Sequence, residues 1–162
     1  SNVGRLAGQF GDKNLRKICA QIAGDEGRHE RAYQTFCEEI LKRDPDGFMM
    51  VFGDMMRGQI VMPAELMTDG KNKNLYTDFA DVAQRLGVYT ALDYAEILRH
   101  LVDRWDLEKI EGLSSEAEKE REYLCKLPER YRKLAERSMN KKKKVNEEDA
   151  PKTFSWIHGR SV

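Results

Sequence analysis

Glu26 and His29 stand three residues apart in the run Gly24-Asp25-Glu26-Gly27-Arg28-His29-Glu30. On an α-helix that spacing sets a carboxylate and an imidazole one turn apart on one face, and facing helices of a bundle use such pairs to hold metal between them. Carboxylate and imidazole together suit iron, and an oxygen-rich ligand set leaves positions open for dioxygen. The motif occurs once, since the residues three before His100 and His158 are Ile97 and Ser155. The run His29-Glu30-Arg31-Ala32-Tyr33 has no second histidine, which removes the zinc-protease helix. Two readings stay open: one half of a metal site shared between helices, or a Glu–His pair hydrogen-bonded inside a core. Asp25 has two readings as well. It can accept the free N–H of a ligating imidazole on another helix, or pair with Arg28 or His29 at the surface.

The helix that must carry the pair is amphipathic. At roughly 100° per residue, Leu15, Ile18, Cys19, Tyr33, Phe36, Cys37 and Ile40 lie within about 60° of Ile22, with Glu26 and His29 among them. Asp25 sits at the edge of this stripe, while Gly24, Arg28, Arg31, Glu38 and Lys42 lie opposite. Burying a carboxylate without a partner costs several kcal/mol or forces it to take a proton. The pattern therefore predicts a buried stripe in which Glu26 has a partner.

Apolar positions recurring at three and four residues, with only four prolines, predict an all-α chain. Asp12 is placed to cap the long first helix, which breaks at Asp44-Pro45-Asp46-Gly47. A second helix is expected from Phe48 to about Gln59. Pro63 suits the first turn of a short helix ending near Gly70, and Asn74 caps one ending at Gly87. Thr90-Ala91-Leu92-Asp93 and Ser115-Glu116-Ala117-Glu118 have the form of capping boxes. The first opens a helix to about Trp105, the second a helix broken near Pro128. Residues 1–139 form the main body on this reading. The stretch 140–152 is too polar to bury and is predicted to be a linker. It leads to an anchor segment, 153–162, whose Phe154, Trp156 and Ile157 can fold back on the body.

The wider composition narrows the function. In 162 residues, 28 Lys and Arg balance 28 Asp and Glu. No broad cationic surface of the kind that drives non-specific nucleic-acid or anionic-lipid binding is expected. Lys141 to Lys144 are followed by acidic residues and lack interleaved aromatics, so they suit a solvated tether. The longest apolar run, Phe48 to Phe52, falls far short of the ~20 residues of a membrane span. Cys19, Cys37 and Cys125 form no paired motif, which disfavours a disulfide framework. Met49, Met50, Met55, Met56, Met62 and Met67 suit either ordinary core or the wall of a flexible apolar channel. Arg28 and Arg31 face away from the stripe, either toward solvent or toward an acidic partner. The chain begins with Ser1 and shows no transit-peptide pattern, so something upstream is expected to have been removed or omitted.

Longer words in the sequence sharpen the reading. The Gly24 to Glu30 run resembles the second Glu-x-x-His segment of the plant soluble acyl carrier protein desaturases, the stearoyl-type enzymes of plastids. The resemblance continues through Asp44-Pro45-Asp46-Gly47, Asp54-Met55-Met56-Arg57, Met62-Pro63-Ala64 and Ala83-Gln84-Arg85-Leu86-Gly87-Val88-Tyr89-Thr90-Ala91. It extends to Gly112-Leu113-Ser114, Leu127-Pro128 and Phe154-Ser155-Trp156-Ile157. It covers essentially the whole chain.

That resemblance implies a ferritin-like helical bundle, here partial and ending in a short irregular or hairpin tail. It implies a di-iron centre, with Glu26 bridging both irons and His29 a terminal ligand to one. Asp25 would orient the histidine of the other Glu-x-x-His helix. The implied reaction is O2-dependent removal of two hydrogens from a saturated acyl chain on acyl carrier protein, giving a cis double bond. Ferredoxin would supply the electrons, in a homodimer in the plastid stroma. The sequence resembles a little under half of the mature enzyme and holds only two ligand positions, Glu26 and His29. The isolated chain is therefore expected to be inactive. A non-catalytic helical remnant or interaction module is the alternative.

Overall fold

The structure is a computed structural model that describes residues 2–58, 63–144, 151–158 and 161. Its order is α1 (Asn2–Gln9), α2 (Lys13–Arg43), α3 (Pro45–Arg57), a 3-10 turn (Pro63–Leu66), α4 (Leu75–Arg85), α5 (Ala91–Arg104), a second 3-10 turn (Leu107–Lys109) and α6 (Ser115–Lys144). Among the described residues there is no strand, and no helix is long and apolar enough to cross a membrane. The all-α expectation is met.

Local chemistry sets most boundaries. Asp12 Oδ1 accepts the Leu15 N–H at 2.9 Å and starts α2. Asp44 serves two helices: its N–H donates to the Ile40 carbonyl at 2.8 Å, ending α2, and its Oδ1 accepts from Gly47 at 2.9 Å, starting α3. Helix α3 thus begins at Pro45, three residues before the expected Phe48, because a proline in the first turn lacks only an N–H that has no helical partner anyway. The short helix expected to reach Gly70 stops at Leu66. Asp69 Oδ1 accepts from Lys71 and Asn72 at 2.9 and 2.8 Å, offering the backbone an alternative to the helix. Asn74 stands at the cap of α4 but its side chain makes no capping bond. The Thr90–Asp93 box is complete and opens α5.

Two expectations for α6 are corrected. The capping hydroxyl is Ser114, one residue before the predicted Ser115: Ser114 Oγ accepts from Ala117 at 3.3 Å. Its own N–H is held at 3.0 Å by Asp46 Oδ1 of α3, so a contact across the fold sets the register. Nor does Pro128 break the helix. Leu124, Leu127 and Ala135 are buried on both sides of it, and this shared packing carries α6 through the lost hydrogen bond. The helix reaches Lys144, so the first residues of the stretch predicted as linker are helical. Residues 145–150 lie outside the described residues. The segment 151–158 is irregular and folds back: Lys152 Nζ lies 3.0 Å from Asp78 Oδ1 on α4. Phe154 is buried and stacks on Trp156 with ring centroids 5.1 Å apart.

The core belongs to α3, α5 and α6, and unites Phe48, Met49, Met56, Leu98, Val102, Leu107, Ala117, Leu124 and Leu127. Trp105 packs edge-on against Phe48 and Phe52, with centroids 5.3 and 5.7 Å apart. Met49 and Met56 are therefore ordinary core, whereas Met50 and Met55 are exposed.

The long helix α2 departs from its predicted burial. It has no fully buried residue, and Ile18, Ile22, Tyr33, Phe36 and Ile40 are between 52% and 67% exposed. The helix meets the rest of the chain along one edge of the stripe and the flank beside it. Cys37 and Leu41 pack partly on the core, Arg104 of α5 donates to Glu38 at 3.0 Å, and Gln34 approaches His100 to 3.4 Å. Among the described residues, nothing covers Ile18, Ile22, Tyr33, Phe36 and Ile40, while Cys19 and Cys37 at the edge of the stripe are partly buried.

Candidate metal centre

Glu26 and His29 lie near the middle of α2, far from the fraying ends set by Asp12 and Asp44. One helical turn apart, they meet: His29 Nδ1 is 3.3 Å from Glu26 Oε2. With Val3 of α1, Cys19, Ile22 and Tyr33, they line a shallow open depression on the apolar face. Their side chains are 69% and 63% exposed, respectively. The predicted need for a partner is therefore met by the neighbouring imidazole, and the predicted burial is not observed.

In kind these donors suit a divalent metal ion. Bonds of about 2.1 Å to nitrogen and oxygen at a right angle leave two donors about 3 Å apart, close to the observed spacing. In number they fall short: among the described residues no group of three or more His, Cys, Asp or Glu is gathered for a metal. Cys37 lies on the same stripe, but burial pushes its thiol up, so it is not a competing thiolate at neutral pH.

Asp25 does not join the pair. It contacts Arg28 on the adjacent surface. This contact also occupies Arg28.

One polar cluster left no sign in the sequence pattern. Arg57 of α3 contacts Glu120 of α6 at 2.6 and 2.9 Å and lies over the Tyr123 ring, 4.4 Å from its centroid. Glu120 keeps only 14% of its side chain exposed. The partners are 63 residues apart in the chain, and no local spacing could have paired them. Their arrangement joins two core helices rather than presenting donors to a ligand.

Comparison with known proteins places this geometry. The chain is 53% identical over 161 residues to the chloroplastic stearoyl-acyl-carrier-protein 9-desaturase 1 of Arabidopsis thaliana, covering 99% of this chain and 40% of that protein. It is 50% identical over 161 residues to the corresponding enzyme of Olea europaea, with the same coverages. For the Ricinus communis enzyme the identity is 50% over 162 residues. The chain thus spans about two fifths of the length of the curated relatives it matches. The family model described as fatty acid desaturase matches residues 1–158, and with an all-α architecture of the ferritin-like class the chain belongs to the fatty acid desaturase family.

Proposed function

We propose that this chain is the part of a plastid acyl carrier protein desaturase that carries one Glu-x-x-His helix. The observation that supports this most directly is the Glu26–His29 pair, side by side on an uncovered apolar face, in a chain about half identical to chloroplastic desaturases over nearly its whole length. The substrate is a saturated acyl chain on acyl carrier protein. Two hydrogens leave adjacent carbons and, with two electrons from ferredoxin and two protons, reduce O2 to two waters, leaving a cis double bond.

Glu26 and His29 are the residues that would hold iron, and further ligands would have to join them from beyond the described residues. Bound there, iron supplies the oxidising power that an unactivated C–H bond demands. The protein's share is positioning. Ile22, Tyr33 and Phe36 present apolar surface beside the pair, which excludes water once covered and keeps a hydrocarbon chain adjacent. Asp25 orients the imidazole of the other Glu-x-x-His helix, and the complete enzyme works as a homodimer in the stroma.

A second reading is favoured by one observation, the lack of any third donor near the pair among the described residues. On it, the 162 residues are a non-catalytic helical module. Iron quantitation and desaturation assays separate the two. In a protein extended to the relatives' length, two irons per chain are expected, with loss of at least one in Glu26→Gln and His29→Gln. Full iron retention in both variants would overturn the ligand assignment. The 162-residue chain is expected to show no turnover and fewer than two irons per chain.

A further inference from the structure

The C-terminal half of α6 concentrates the chain's positive charge. Residues 126–144 hold nine Lys and Arg against Glu129 and Glu136, a net charge of +7 in a chain whose formal charge is zero, so the remainder carries −7. The cations are also aligned. At about 100° per residue, Lys126, Arg130, Lys133 and Arg137 fall within about 60° of one another, opposite buried Leu124 and Ala135. Helix α6 runs on to Lys144, and the positions of Lys141 and Lys144 continue the same line, giving six cationic positions over about 27 Å.

The first four of these cations are open to a partner. Lys126, Glu129, Arg130, Lys133, Leu134 and Arg137 line a shallow open depression. Its one carboxylate, Glu129, is held by Arg132 at 2.9 and 3.1 Å and lies 3.5 Å from Lys133, so its charge is already matched. Lys126 reaches Glu122 at 3.0 Å yet stays 76% exposed, and an exposed pair of this kind is weak and readily exchanged for another carboxylate. Arg130 and Arg137 are exposed and have no carboxylate partner among the described residues.

We propose that this row is the docking surface for the acyl carrier protein that presents the substrate, and that it takes a helix of that protein bearing carboxylates at three- and four-residue spacing. This rests on the reading of the chain as part of an acyl carrier protein desaturase. Such spacing sets charges about 5–6 Å apart along one side of a helix, so an acidic helix laid along α6 meets its cations one for one. Exposed Leu134 supplies an apolar contact beside them. The narrowness of the row disfavours a flat anionic bilayer or a nucleic-acid duplex. Either would bring a wide negative surface toward a body of charge −7, and that repulsion reaches over a Debye length of about 8 Å. One helix meets the row alone. Charge complementarity of this kind steers encounter and fixes register, which suits a partner that arrives and leaves at every turnover.

The test is binding of fluorescently labelled acyl carrier protein, bearing no acyl chain, to the 162-residue chain, read by anisotropy. Binding should weaken about tenfold or more as ionic strength rises from about 0.01 to 0.1 M, where the Debye length falls from about 30 to 10 Å. Arg130→Glu with Arg137→Glu should weaken it about tenfold or more at low salt, with helicity unchanged. Arg130→Lys with Arg137→Lys, which keeps the charge, should stay within about threefold. Arg28→Glu with Arg31→Glu, on α2, should cost less than about twofold. The proposal is overturned by the absence of salt-dependent binding, by a loss from the α2 pair as large as from the α6 pair, or by Lys variants that bind as weakly as the Glu variants. Capture of ferredoxin, phosphatidylglycerol vesicles or single-stranded RNA through Arg130 and Arg137, without capture of the carrier protein, overturns it as well and gives the row to that partner. Iron retention in the extended Glu26 and His29 variants tests the parent reading without touching this row, so the two fail independently.

Discussion

Glu120 of α6 holds Arg57 of α3 through both of its carboxylate oxygens, at 2.6 and 2.9 Å, directly over Gly53. A Cβ built on Gly53 would lie 2.9 Å from the Glu120 carboxyl carbon, closer than real Cβ contacts. The absence of a side chain at Gly53 is what lets the carboxylate reach the guanidinium between the two core helices. Arg57 adds its contact with the Tyr123 ring, which fixes the clamp from the other side.

Gly53→Ala should therefore destabilise the chain by up to about 2 kcal/mol, the ~1–3 kcal/mol cost of forcing extra volume into a packed site less the ~1 kcal/mol of helix propensity that alanine gains. The sign should reverse in a Glu120→Ala background. There the clash is gone, and the higher helix propensity of alanine should stabilise by up to about 1 kcal/mol. Urea unfolding of the four proteins in this double-mutant cycle measures both terms. Equal costs in the two backgrounds would show that Gly53 is required for some reason other than Glu120.

Pro128 offers a contrasting case, a residue that costs helix stability and is kept by packing. A proline inside a helix costs about 3 kcal/mol relative to alanine. Pro128 is buried, so truncation to alanine forfeits two methylenes, about 0.8 kcal/mol each, and loses the proline's restriction of the unfolded chain, about 0.4–1 kcal/mol. The helix term wins narrowly. Pro128→Ala should stabilise by up to about 1 kcal/mol and raise Tm by about 2 °C. A fall of several degrees in calorimetry would show that the ring's packing outweighs the backbone.

These two sites also show what sequence can and cannot carry. Asp12, and Thr90 with Asp93, act within four residues of themselves, and their helices start where the spacing predicts. Ser114 takes the cap from Ser115 because Asp46, 68 residues away, fixes its N–H. Pro128 stays helical because its neighbours are buried against other elements. The Glu26–His29 pair was legible because one helical turn brings its members together. The state of its face was not: an amphipathic stripe marks what requires cover, while the cover itself comes from other elements, and here the flank bearing Cys37 and Leu41 meets the core.

The returning tail should respond to acid. The Asp78 carboxyl is held below the usual carboxylate range, first by the Asn72 amide at 2.8 Å and then by Lys152 at 3.0 Å. Asp69 is lowered by the backbone N–H groups of Asn72 and Lys71. Depressed folded-state values stabilise above the unfolded value of about 3.9, and that stability disappears as pH falls through the lower folded values. Trp156 fluorescence in a Trp105→Phe background reports tail docking, with helicity followed in parallel. The signal should be constant from neutral pH to about pH 5 and change below about pH 4. Asn72→Ala, which removes the larger cause, should move the midpoint upward more than Lys152→Gln does. A Trp156 signal that follows helicity alone in all three proteins would mean that burial of Phe154 holds the tail and the carboxylates do not.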